Sequence, residues 1–196
     1  MAMVPDVSES NKIVARKLVE VFGRWPKITT YLDVDDQNKV DIAAAVDSPQ
    51  EGLTSYSTVT LSDWPVYVAG CEHETRIEII GAAPNRAELF QNVISTAAFC
   101  VIKQQWACYP GVIFPDVLAM YHLSTTMKHV MFTEPFLWDS LEASLQLPDR
   151  LVSWLMVVPI ADSEYEFAKT RGWEALGELL EDGDIDIWDL ERKPVV

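Results

Sequence analysis

The chain has 196 residues, 49% of them hydrophobic and 10% aromatic, and a formal net charge of −15, which is enough apolar material for one well-buried core under an acidic surface. Such a surface repels phosphate, so these figures weigh against binding DNA, RNA or an anionic membrane, each of which draws on clustered Lys and Arg. No apolar run approaches the roughly 18 residues of a membrane span, MAMVPDVSESNK lacks the pattern of a secretory signal, and the three cysteines, Cys71, Cys100 and Cys108, are odd in number and lie in apolar contexts, so a reduced, cytoplasmic protein is expected.

Ser8 or Ser10 can cap a first helix to about Phe22, with Ile13, Val14, Leu18, Val21 and Phe22 on one side and Gly23 stopping it. Residues 28–34, 40–46 and 55–61 are rich in β-branched or small apolar side chains and separated by turn sequences, which predicts three antiparallel strands. Residues 75–80 add a fourth, ended by the Gly81 to Asn85 turn. Asn85 can then cap a long helix over 86–106, whose Leu89, Val93, Ile94, Ala97, Ala98, Val101 and Ile102 recur at three- and four-residue spacing. Cys100 falls among them as a small buried hydrophobe.

Tyr109-Pro110-Gly111-Val112 reads as a turn, 112–118 and 121–123 as short extended pieces, and 129–133 as a strand. An aromatic connection from Pro135 to Trp138 leads to Leu141, Leu145 and Leu147. Residues 151–158 are apolar except for Ser153 and are ended by Pro159, the pattern of a central strand covered on both faces. Asp162 or Ser163 can cap the next helix, Glu166 stands three residues after Ser163 in capping-box spacing, Gly172 stops that helix, and 173–180 read as another. Strands, then a helix, then more strands and helices argue for an α+β fold, a mixed α/β sandwich with a mostly antiparallel or mixed sheet flanked by helices. No repeat or Pro/Gly/Ser-rich linker divides residues 1–196, so a single domain is expected.

Several of these segments resemble a known family. A strand ending in Val158-Pro159-Ile160, polar residues with a Glu, a helix ending in a Gly, and Leu-rich acidic sequence beyond it look like the C-terminal part of the suppressor-of-fused (SUFU) domain. Pro110-Gly111-Val112 with Phe114-Pro115, the segment from His129 to Phe136, and Trp188-Asp189-Leu190 extend the likeness over about 82–196. The small bacterial members are the nearer match. The resemblance implies an immunity protein that binds and neutralises a cognate toxin; the animal Hedgehog-pathway member sequesters transcription factors.

Motifs for catalysis are sparse. Cys71-Glu72-His73-Glu74 is the densest cluster of acid-base and ligand types, but a metal site needs three or four converging ligands, and a solvated turn accounts for it. No Gly-x-Ser-x-Gly elbow, Gly-rich phosphate cradle or EF-hand register occurs, so no cofactor, metal or small-molecule substrate is expected. Glu78, between Ile77 and Ile79, reads as a solvent-facing strand carboxylate, and capping accounts for Glu164 and Glu166. An enzyme reading requires Glu72, His73 and Glu78 to converge in one pocket.

From Trp173 to Glu191 the chain carries eight carboxylates and no Lys or Arg. As a docking face this segment offers Glu181, Asp182, Asp184, Asp186 and Asp189, with Trp188 beside Ile185, Ile187 and Leu190 as apolar anchors. As one face of a terminal strand, Ile185 and Ile187 would point inward instead. The partner such a face fits is a basic protein, a nuclease-type toxin among them, whose approach the field would accelerate. A regulatory scaffold that holds a non-toxin peptide by strand addition is a further reading.

Overall fold

The computed structural model describes residues 7–183 and 185–196. Ser8 accepts the Asn11 N–H and opens helix α1 (Glu9–Phe22), and Gly23, at φ 68°, closes it. Strands β1 (Lys27–Leu32), β2 (Lys39–Val46) and β3 (Leu53–Thr58) follow as an antiparallel meander. β3 ends sooner than its composition suggests because Leu61–Asp63 turn into a 3-10 helix. β4 (Tyr67–Val68) and β5 (Cys71–Glu72) form a small separate hairpin, and β6 (Thr75–Pro84) returns beside β3.

Gly81 does not end β6. The strand runs on to Pro84, and a Cβ at Gly81 would stand 3.1 Å from the Phe90 ring, so the glycine serves the close approach of helix α2 (Phe90–Gln104). Nor does Asn85 cap α2, which starts at Phe90 after Leu89 with no side-chain cap. Asn85 is taken by the strand ends instead, receiving the Thr54 hydroxyl and donating to Asp47.

Of the extended pieces expected over 112–123, only β7 (Ile113–Phe114) is a strand; Ala119–Tyr121 form a 3-10 turn. β8 (Met127–Thr133) and the two-residue β9 (Leu145–Gln146) both pair with β10 (Leu151–Ala161). Pro159 lies inside β10 rather than ending it. β6 stops pairing at Met156, and the Pro159 carbonyl points away from β8 to accept from Arg192, so the missing N–H faces a side with no ladder to break. Helices α3 (Asp162–Arg171) and α4 (Trp173–Asp182) complete the fold, joined at Gly172.

The main sheet has the order β1-β2-β3-β6-β10-β8-β7, with only β6 and β10 parallel. This is the mixed sheet flanked by helices that the order of elements implies. Alternation along β10 explains its unbroken apolar run. Leu155 and Val157 face α2 with its Val93, Ile94, Ala97 and Val101, while Trp154, Met156 and Val158 face α1 and α4 with Val14, Leu18, Leu176 and Leu180. The buried hydroxyls of Ser55 and Ser57 on β3 are met from the second face, where the indole N–H groups of Trp138 and Trp154 donate to them.

Candidate partner-binding surface

The acidic segment is held against the body by a buried clasp. Helix α3 opens at Ala161, not at Asp162 or Ser163, and the reaching carboxylate is Glu164, whose Oε2 accepts the Ala161 N–H at 2.9 Å. Glu166, expected in that role, pairs with Lys169 on the exposed side. Capping is only part of what Glu164 does. It is fully buried and meets the Arg192 guanidinium through both oxygens, at 2.6 and 2.9 Å, while the second nitrogen of Arg192 also donates to the Pro159 carbonyl. The Val195 N–H closes on the same carboxylate at 3.0 Å. Ser124 donates to the Leu190 carbonyl and Ser163 to that of Val196, so the last residues of the chain are tied at several points.

This strap orients the docking residues expected from the sequence. Glu181, Asp182 and Asp186 are exposed, and Asp189 and Trp188 are partly buried. Asp184 lies outside the described residues, as does the start of the segment read for a secretory signal. The apolar residues between them turn inward without forming a strand. Ile187 packs with the α4 face of the sheet and Leu190 reaches the α2 face, so neither is an exposed anchor. Glu178, Glu181, Asp182 and Asp186 have no ion pair among the described residues.

Beside them lies a groove of ≈ 570 Å³ between α4, the tail, and the ends of β8 and β10. Met131, Val158, Leu180, Ile185 and Ile187 make it apolar, and Glu181 and the 60% exposed Phe136 also line it. A second cavity of ≈ 530 Å³, between the start of β10 and the loop after β8, includes His73, Tyr109, Glu134 and Trp154 in its wall.

The three residues of the enzyme reading do not converge. His73 lines that second cavity and Glu72 pairs with Arg76 on the surface. Glu78 is sealed: far from facing solvent, it has no exposure and accepts the N–H groups of Leu61 and Ser62, at 3.2 and 3.0 Å, at the start of the 3-10 turn. Burial pushes its carboxyl up to about 7, against the pull of those hydrogen bonds. Cys100 and Cys108 are buried and their thiols are likewise raised by burial, the state of inert core cysteines, whereas Cys71, expected in an apolar context, is exposed on the β4–β5 hairpin.

One cluster escaped the sequence reading. His129, on β8, is buried, accepts the Asp116 N–H at Nδ1 and meets Asp162 at 3.0 Å through Nε2, while Lys128 pairs with the same Asp162. With Nδ1 accepting, the ring proton sits on Nε2 and is donated to Asp162, which joins β8 to the first turn of α3. These residues come from three segments, so spacing could not reveal them. For Arg192 a signal did exist: it is the first cation after Arg171, in a stretch otherwise free of them.

Comparison with known proteins bears on the fold and the family. Among solved structures, a SUFU homolog from Neisseria gonorrhoeae superposes with a TM-score of 0.70 at 14% identity, over 96% of this chain and 97% of that one. The Sufu–Fu complex gives 0.65 at 13% identity over 95% and 92%, and Drosophila Suppressor of Fused 0.58 at 14% over 93% of this chain and 50% of that one. Immunity protein YqcF of Bacillus subtilis (strain 168) is 42% identical over 190 residues, 97% of this chain and 99% of the relative. Residues 36–193 match the family model described as Suppressor of fused protein (SUFU). With the mixed sheet and its flanking helices, these matches establish that the chain belongs to the suppressor-of-fused protein family.

Proposed function

We propose that this protein is an immunity protein that binds and neutralises a cognate toxin in the cytoplasm. The observation that carries the reading is the 42% identity, over nearly the full length of both chains, to a relative that bears that name. The charge of −15 supports a basic toxin, and Glu178, Glu181, Asp182 and Asp186, without an ion pair among the described residues, support docking on α4 and the tail. A nuclease fits this reading because its substrate-binding face carries the Lys and Arg that such carboxylates would cover. The clasp supports a rigid presentation of that face.

The test is coexpression with the toxin domain encoded in a neighbouring reading frame, scored by growth, followed by association kinetics of the purified pair at low and high salt. Protection by the wild type, with an association rate that falls as salt rises and as Asp182, Asp184 and Asp186 become Lys, is the expected result. Failure to protect overturns the immunity reading. Protection indifferent to salt and to the charge reversals overturns the acidic face alone.

A second reading, a scaffold that captures a peptide by strand addition, has one observation in its favour. β1 is the outer strand of the sheet, and its Ile28 and Leu32 are 46% and 56% exposed. Loss of protection in an Ile28→Pro variant, which removes an N–H on the open side of β1, with charge reversals silent, would transfer the binding site to that edge.

A further inference from the structure

Gly177 occupies the middle of α4, where glycine is the weakest helix former after proline. Nothing among the described residues requires it there. Its backbone is not left-handed, and a Cβ added to it meets nothing within 4 Å. An alanine at this position would strengthen the helix without a clash. What the missing side chain does provide is space, because Gly177 lines the apolar groove beside β8.

The surroundings of that space select its occupant. The interior is Met131, Val158, Leu180, Ile185 and Ile187 with Thr133 beside them, and no Lys or Arg lines it. Glu181 lines it too, and the exposed Glu178, Asp182 and Asp186 each adjoin a lining residue in the chain. None of the four is paired with a cation among the described residues. We propose that the groove receives one large apolar side chain from a protein segment that carries Lys or Arg on both sides of it. An apolar anchor in a pocket with a polar rim is the usual composition of an interface hot spot, and here the rim is acidic. A second copy of a chain with a charge of −15 would be repelled, as would nucleic acid or anionic lipid. The proposal rests on the immunity reading in taking the toxin as the protein that supplies the segment.

A random peptide library displayed on phage and selected on the purified full chain tests the groove without the toxin. Enriched peptides should converge on an aromatic or large aliphatic residue flanked by Lys or Arg. By fluorescence anisotropy they should bind Gly177→Trp, which fills the groove, and Glu181→Lys, which reverses its rim, about 10-fold more weakly than the wild type, and Gly177→Ala within about threefold. Peptides that converge on acidic or wholly apolar sequences, fail to converge, or bind Gly177→Trp as tightly as the wild type overturn the proposal. Should Gly177→Trp unfold, the exposed Phe136→Ser and Glu181→Lys carry the comparison. The two readings fail separately. A wild type that does not protect against its toxin while peptides still converge sinks the immunity reading alone; full protection by Gly177→Trp with wild-type toxin affinity sinks the groove alone.

Discussion

Glu78 and Glu164 are both sealed from water, yet their carboxylates are compensated in different ways. Glu164 faces a guanidinium brought from the far end of the chain, with two backbone N–H groups in addition. Glu78 has no cation partner among the described residues and meets backbone N–H groups at the start of a 3-10 turn. The first arrangement converts the cost of burial into a tie between α3 and the tail, so it positions the acidic surface. The second leaves a carboxyl near the balance point of its two protonation states, so it makes the stability of the β3–β6 region depend on pH. Burial alone therefore says little about a charged side chain; the partner decides what the charge does.

The largest expected effect breaks the first arrangement. Arg192→Met leaves Glu164 buried without its cation and should lower stability by about 3–5 kcal/mol in urea unfolding, with faster hydrogen exchange over 185–196. Adding Glu164→Leu should restore only part of the loss, since it removes the uncompensated buried charge but leaves the Ala161 and Val195 N–H groups without their acceptor. A loss under about 1 kcal/mol from the single change would mean that the tail is held by its other contacts.

Next in size is the pH response of Glu78. Its folded value, about 7, lies above the ordinary 4.5, so the folded state binds the extra proton between those limits. The contribution is fully present below about pH 4.5 and is lost as pH rises through about 7, in all about 3 kcal/mol. Unfolding free energies from pH 4.5 to 8, with Glu78→Gln as reference, should show this slope in the wild type only. A parallel pair of curves would place the proton elsewhere.

A smaller effect concerns the groove beside the tail. Gly177→Ala should raise stability by about 0.4–1 kcal/mol in thermal unfolding, because the Cβ meets no neighbour and the unfolded chain loses freedom. The smallest is expected at the exposed carboxylates. Replacing Glu181, Asp182 and Asp186 by Lys should change stability by under about 0.5 kcal/mol each, while slowing toxin association about 10-fold at low salt. Surface carboxylates would then act on the encounter, and buried ones on the fold.

Elements with their own periodicity were legible before the structure. α1 with its Ser8 cap and Gly23 stop, the β1–β3 meander and the central position of β10 all follow from local pattern. The errors arose where a local rule met a tertiary contact. Asn85 has the residue type of a helix cap, but Thr54 and Asp47 claim its amide. Gly81 has the type of a turn, but the Phe90 ring needs its missing Cβ. Pro159 has the type of a strand end, but β10 has lost its β6 neighbour by then.

The acidic segment shows the same division. Its charge, its lack of cations and its family resemblance were written in the sequence. Which way its apolar residues point was not, because a period of two or three in a short irregular stretch does not say which side the body lies on. That side was decided by Arg192 and Glu164, 28 residues apart, whose pairing needs the end of β10, the start of α3 and the tail all in place. Sequence alone determined the strongly periodic elements, the family and the charge, since each is set by neighbouring residues or by composition. The tertiary structure decided which carboxylates are buried and what compensates them, because that depends on atoms that only folding brings within hydrogen-bonding distance.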